Sequence, residues 1–300
     1  MGRDWDVTFA SWGAAPSAAE TQKCERAELA VRKAIQASTK LSAMDIEVFA
    51  QGSYQNGTNV RMDSDVDICV LYKAASFNDY QFAPKLNDGV LGYVDSQYKY
   101  PDFKNDIGVA LLDYFGKQFV TRGKKAFDIH ANTYRIDADV VPCMEHRLFT
   151  GDVNSYSWLS GTELHPDGGG KIINWPRQNL ANGISKNADT NKQFKTVTRV
   201  LKRLRYGLME EGDAVAEKIP SYLIECLVWN VPDASLTTGT LYDNVRQAII
   251  DLWNGTADDA ACNAWVEVNQ RKFLFRSSQP WSCADVHTFL QSAWTHIGFK

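Results

Sequence analysis

Residues 66–72 (VDICVLY) constrain the fold more than any other stretch of the chain. From Ile68 onward the run is continuously apolar, the pattern of a strand buried on both faces at its far end. Its near end carries acid: Asp65 and Asp67 stand two apart, with Asp63 two residues earlier. Residues two apart in a strand share a face, so Asp65 and Asp67 present two carboxylates about 7 Å apart at Cα. Neighbouring carboxylates repel at a buried edge unless a cation neutralises them. Hard oxygen donors of this kind suit Mg²⁺, which takes one or two carboxylates together with phosphate oxygens and water. A calcium loop of the EF-hand type is excluded, because its sixth and twelfth positions would be Ile68 and Ala74 instead of Gly and Glu. Asp63 with Ser64 reads as a turn ahead of the strand.

Two further segments bear on the aspartates. Residues 45–51 read as a short strand that ends on Gly52-Ser53, twelve residues before Asp65. A glycine there lets backbone approach a phosphate, and the serine hydroxyl can donate to it; alone, the pair is an ordinary strand-to-loop turn. Residues 128–142 read as a strand that alternates from Tyr134 and ends on Pro142. It offers Asp137 and Asp139, and Asp139 is the better third acid because it adjoins the apolar V-V-P run. A third carboxylate can deprotonate an attacking hydroxyl and share a second metal.

The rest of the chain divides by pattern. Residues 17–41 read as a long helix, with a Ser17/Glu20 capping box and Leu29, Val31 and Ile35 along its apolar stripe. Residues 106–116 read as another helix. Residues 161–189, with three consecutive glycines, two prolines and many asparagines, read as a turn and a connecting segment. Helices are expected over 191–211, 220–230, 240–254, 257–271 and 283–297. On the first of these, Lys192, Lys195, Arg199 and Lys202 fall at i, i+3, i+7 and i+10, one helix face. They form either a solvated face or a triphosphate clamp, with Lys202, beside the ridge Leu201, Leu204 and Leu208, best placed to hold a β- or γ-phosphate. Tyr222 opens a buried helix after Pro220 and is either a core tyrosine or a ring on which a base stacks.

Composition sets outer limits. The 300 residues are 44% hydrophobic and carry a net charge of −4, so a large core is available and no global field draws the chain to nucleic acid or anionic membrane. No run reaches the roughly 18 apolar residues of a membrane span, and the N-terminus lacks a signal-peptide core. Six cysteines, at 24, 69, 143, 226, 262 and 283, form no zinc-spaced cluster. Cys69, Cys143 and Cys226 sit in apolar runs, and the expectation is a reduced cytoplasmic protein without structural zinc.

Together G-S-Y (52–54) and D-S-D-V-D-I (63–68) resemble the nucleotidyltransferase motif of the DNA polymerase β superfamily. The D-V-V-P strand (139–142), the T-V-T-R-V-L-K-R-L-R helix (196–205) and P-S-Y-L-I-E (220–225) resemble the branch of cyclic GMP-AMP synthase and oligoadenylate synthase. The I-I-N-W-P-R segment (172–177) is similar to its bacterial members, the cGAS/DncV-like nucleotidyltransferases (CD-NTases) of CBASS anti-phage systems. That resemblance, over about residues 20–230, implies an α+β fold. Residues 1–165 would form a polymerase β-like core with a long N-terminal spine helix across both lobes, 166–189 a connector, and 190–300 an oligoadenylate synthase-like helical lobe. It implies Asp65, Asp67 and Asp139 as catalytic metal ligands for Mg²⁺, with Mn²⁺ able to substitute. It implies Gly52, Ser53, Lys195, Arg199, Lys202 and Tyr222 as nucleotide-binding residues. The implied reaction joins NTPs, ATP and GTP foremost, into a purine-containing cyclic dinucleotide with pyrophosphate release, and the product would act on a separate effector. Transfer of a nucleotide to an antibiotic or an RNA 3′ end, or an inactive nucleotide-binding scaffold, are the competing readings. The animal DNA sensor of the family carries a zinc-binding insertion; with no such cluster and a net acidic chain, direct double-stranded DNA sensing is not expected.

Overall fold

A computed structural model describes residues 3–60, 65–132 and 136–299. The chain divides into two compact units. One, from residues 17–54 and 64–176, holds the sheet; the other, from residues 1–16, 55–63 and 177–300, is helical.

The sheet unit opens with α2 (Ala18–Ala37), started by the Ser17/Glu20 capping box. It is assigned over its whole length to this unit. Its buried face is Cys24, Ala27, Val31, Ala34 and Ile35, whereas Leu29, expected on that stripe, is 49% exposed. Strand β1 (Ile46–Gln51) leads into the one-turn helix α3 (Gly52–Asn56), and β2 (Val66–Phe82) follows. A one-turn helix α4 (Asp88–Leu91) precedes α5 (Tyr100–Phe115). The latter begins six residues earlier than its apolar pattern suggests: the Asp102 carboxylate accepts from the Lys99 N–H at 3.1 Å, and Pro101 stands in the first turn. Then come β3 (Val120–Arg122), β4 (Phe127–Ile129), β5 (Ala138–Asp152), β6 (Ser155–Leu164) and β7 (Ile172–Asn174).

Strand order is β1-β2-β5-β4-β3, with β6 paired to β5 and β7. Among the described residues, β2 pairs with β5 in parallel and the other strand pairs are antiparallel. Residues 128–142 therefore include the end of β4 and the start of β5; Tyr134, where the expected alternation begins, lies outside the described residues, and Pro142 lies inside β5. Its position explains why it is tolerated: pairing to β4 stops at Val140 and pairing to β6 starts at Met144, so that flank needs no N–H at Pro142. Its carbonyl accepts from the Tyr100 hydroxyl. The core of this unit gathers Ile68, Cys69, Val70 and Leu71 of β2 with Phe103, Ile107 and Leu111 of α5.

The helical unit contains α1 (Trp5–Trp12), α6 (Pro176–Asp189), α7 (Gln193–Glu210), α8 (Ala214–Glu217), α9 (Ser221–Trp229), α10 (Leu241–Gly255) and α11 (Cys283–Ile297). Two elements differ from the sequence expectation. The supposed connector is mostly α6: its buried face is Asn179, Gly183 and Lys186, so a helical period is present but carried by polar and small residues, invisible to a hydrophobic count. Residues 257–271 are not a helix. The Asn230 side chain donates to the Val266 carbonyl at 2.8 Å and accepts from its N–H at 3.1 Å, and Val266 bridges to Phe273. Those bonds take the backbone groups that a helix would use.

Cys262 and Cys283 form a disulfide that ties this irregular segment to the start of α11, contrary to the expectation of a fully reduced chain. Cys24, Cys69, Cys143 and Cys226 are buried thiols. No helix among the described residues is long and apolar enough to cross a membrane.

Candidate active site

The acids are brought together by register. Parallel pairing of β2 with β5 sets Asp67 directly opposite Asp139, and antiparallel pairing of β4 with β5 sets Asp128 opposite Asp139. Directly paired residues share a sheet face, so three adjacent strands carry one row of carboxylates: Asp67, Asp139, Asp128. Asp65 immediately precedes β2 and is exposed, while the other three are half-buried. Asp63 lies outside the described residues.

The electrostatics follow from the row. Burial first, and then the Asp65 charge, push the Asp67 carboxyl up to about 6. Burial, then the charges of Asp67 and Asp128, push Asp139 up to about 7, with a hydrogen bond that protonated Asp139 donates to Asp128 adding to the rise. Carboxyls raised by burial and by one another favour a site in which a cation neutralises them. The donors are hard oxygens, the chemistry of a Mg²⁺ or Mn²⁺ site and not of zinc. The oxygens are not drawn into a single tight cluster. Among the described residues, the one set of three metal-capable groups within 4.8 Å of one another is Asp259, Cys262 and Cys283. Its two sulfurs are joined to each other.

Asp139 rather than Asp137 faces Asp67. Asp137 instead accepts from the Ala131 N–H at 2.6 Å, and its own carbonyl accepts from Val66. Asp128 was not singled out in the sequence. Its signal is weak, since D-I-H at the start of the segment resembles any edge strand, and only the β4–β5 register gives it a neighbour.

Gly52 is needed for a reason of space. It has φ +69°, and a Cβ built on it would overlap the Asp67 carboxylate. The glycine thus admits the acid itself to the turn. Ser53 follows in α3 and is half-buried.

The basic stripe lies on α7 in the helical unit, and the structure changes its reading. Lys192 stands before the helix in a left-handed conformation. Arg199 is filled by backbone: its Nε and Nη2 donate to the Gly13 carbonyl at 2.9 and 2.6 Å, and its Nη1 to the Gly57 carbonyl at 2.6 Å. It serves as a strut, not as an open phosphate ligand. Lys195 is half-buried and stands against Gly57. Lys202 is 2% exposed, with its Nζ 3.3 Å from Thr58 Oγ1 and 3.6 Å from Glu225 Oε2. The ridge Leu201, Leu204 and Leu208 is buried, as its spacing predicts.

Tyr222 is anchored at its hydroxyl and partly exposed. Its hydroxyl is held by Glu267 at 3.0 Å, Asn269 at 3.2 Å and Asn179 at 3.3 Å. The residue nevertheless keeps 36% of its surface exposed. A ring anchored at its polar tip is well suited to stacking.

Comparison with known proteins bears on the family and the fold. Residues 31–145 match the nucleotidyltransferase domain model, and residues 181–298 match the cGAS/DncV-like nucleotidyltransferase C-terminal helical domain. The chain is 46% identical over 297 residues to a cyclic dipyrimidine nucleotide synthase of Legionella pneumophila, covering 99% of both chains. It is 38% identical over 300 residues, the full length of both, to a synthase of the same name from Cecembia lonarensis. The solved structure of a Rhodothermus marinus c-UMP-AMP synthase with Apcpp and Upnpp superposes with a TM-score of 0.84, at 29% identity and 98% coverage of both chains. With a row of sheet carboxylates in one unit, a family-matching helical unit and full-length likeness to these synthases, the chain belongs to the cGAS/DncV-like nucleotidyltransferases.

Proposed function

We propose that the protein joins two pyrimidine nucleoside triphosphates into a cyclic dinucleotide, releasing two pyrophosphates. The observation that carries nucleotidyl transfer is the register of Asp67 against Asp139 and Asp128, with Asp65 beside them. The base choice rests on the two full-length relatives, both named dipyrimidine synthases, and it replaces the purine expected from sequence.

Asp65, Asp67 and Asp139 are the residues to hold divalent magnesium, or manganese in its place. Bound there, the metal supplies charge neutralisation for the triphosphate and activation of the attacking hydroxyl. Asp139 takes the proton of a ribose hydroxyl as its oxygen attacks the α-phosphorus of the second nucleotide. The bond to the bridging oxygen breaks and pyrophosphate leaves. A second transfer of the same kind closes the ring. Positioning and charge account for most of the rate in such chemistry. By resemblance, Ser53 and Lys202 serve the triphosphate, and the exposed ring of Tyr222 stacks on a base. The product would activate a separate effector in anti-phage signalling in the cytoplasm.

The test is to incubate the protein with all four NTPs and Mg²⁺, with Mn²⁺ in parallel, and to identify phosphatase-resistant products by mass spectrometry. A cyclic pyrimidine dinucleotide, absent with Asp65→Ala/Asp67→Ala, is expected. A purine-only product would overturn the base assignment. Linear transfer to an added acceptor with no cyclic species would overturn the synthase reading.

A further inference from the structure

Glu225 of α9 is 2% exposed and gathers four elements around one carboxylate. Its Oε1 accepts from Asn56 Nδ2 at 3.0 Å and from Asn179 Nδ2 at 3.2 Å. Its Oε2 accepts from Thr58 Oγ1 at 2.5 Å and lies 3.6 Å from Lys202 Nζ. Asn56 and Thr58 follow Gly52-Ser53 directly, Asn179 comes from α6, and Lys202 comes from α7.

Thr58 sets the direction of this network. A hydroxyl has one proton, and Thr58 gives it to Glu225, so the oxygen turns its lone pairs toward the Lys202 ammonium 3.3 Å away. Carboxylate, hydroxyl and ammonium form a chain with a fixed sense. Beside it, Arg199 holds the Gly57 carbonyl, so each residue of 56–58 is held by a side chain of α7 or α9. A buried ion pair is a poor way to add stability, because desolvation offsets most of its attraction and apolar residues fill the same volume at lower cost. Apolar packing would not orient an ammonium.

We propose that Glu225 is a positioning residue for nucleotide transfer, acting through Thr58 to fix the Lys202 ammonium for the triphosphate. This rests on the nucleotide reading above. Replacing the carboxylate with an amide keeps the shape but turns an N–H toward Thr58 or toward the two asparagines, so the chain loses its sense.

The experiment measures binding of a non-hydrolysable CTP analogue with Mg²⁺ by calorimetry, for the full chain and for Glu225→Gln, Lys202→Met and the double variant. Circular dichroism and thermal melts verify folding. Glu225→Gln is expected to weaken binding about tenfold, and the double variant to bind within about twofold of Lys202→Met alone, because the two residues act as a unit. A merely structural Glu225 would give losses that multiply; that result, or wild-type affinity in Glu225→Gln, overturns the proposal. If Glu225→Gln does not fold, Thr58→Val takes its place. It is expected to weaken binding roughly threefold, again without a further loss on top of Lys202→Met, and unchanged affinity overturns the proposal. Binding needs no turnover, so a wild type that binds the analogue but makes no cyclic product sinks the synthase reading alone. A wild type that binds no NTP analogue sinks both.

Discussion

The two units treat buried acid in opposite ways. In the helical unit Glu225 is surrounded by donors: two asparagine amides, a hydroxyl and an ammonium. In the sheet unit Asp67 and Asp139 are pressed against other acids, and their carboxyls rise to about 6 and about 7. A carboxylate supplied with donors organises the structure around it. Carboxylates set against one another are kept at a cost to stability, and that cost has a purpose only if something else neutralises them. The sheet unit itself contains a control. Glu163 of β6, held by His146 at 2.8 Å and His165 at 2.9 Å, is lowered from the usual carboxylate range despite its burial. The unit can satisfy an acid, and it leaves the Asp67 row under repulsion.

The sharpest way to break this contrast is Asp67→Asn. Product formation is expected to fall by about 10³-fold or more, since the variant removes a metal ligand from the reacting centre. Metal-free stability is expected to rise in the same variant, because a repelling charge is gone. A loss of both activity and stability would show that Asp67 is structural. Next in size, Gly52→Ala is expected to cost about 1–2 kcal/mol, measured by urea unfolding, since it needs both a positive φ and an overlap with the Asp67 carboxylate. Combining it with Asp67→Ala should relieve most of the steric part.

A pH series sharpens the comparison further. The folded protein holds protons on Asp67 and Asp139 more tightly than the unfolded chain, whose carboxyls titrate near the ordinary value of 3.8. Their contribution is therefore fully present below about pH 4 and is lost as pH rises through about 6 to 7. In chelator, the stability gained by Asp67→Asn should be largest near pH 7.5 and vanish toward pH 4; a pH-independent gain would refute the electrostatic account. A separate test, remote from both acid sites, concerns the Cys262–Cys283 link. Cys262→Ser is expected to cost about 2–4 kcal/mol under oxidising conditions and much less in reductant, with alkylation of the unfolded wild type counting the thiols.

Legibility followed the physics of each element. The Ser17/Glu20 cap, the apolar run of β2 and the α7 ridge are local patterns, and each formed as spaced. Helix α6 leaves no hydrophobic period because Asn179, Gly183 and Lys186 carry its buried face, and 257–271 departs from its local helical pattern because Asn230, far away in sequence, captures the Val266 backbone. Arg199 shows the same limit at the site: its spacing marks a helix face, but the Gly13 and Gly57 carbonyls that fill its fork come from elsewhere in the chain.

The sequence by itself determined that acids would stand at the mouth of a buried strand, because side-chain alternation and apolar runs are properties of consecutive residues. The tertiary structure decided which acids meet. Strand register, a relation between distant segments, put Asp139 rather than Asp137 against Asp67 and added Asp128 to the row. Tertiary packing also gave Glu225 its donors, since hydrogen-bond partners 46 to 169 residues away leave no mark on local sequence pattern.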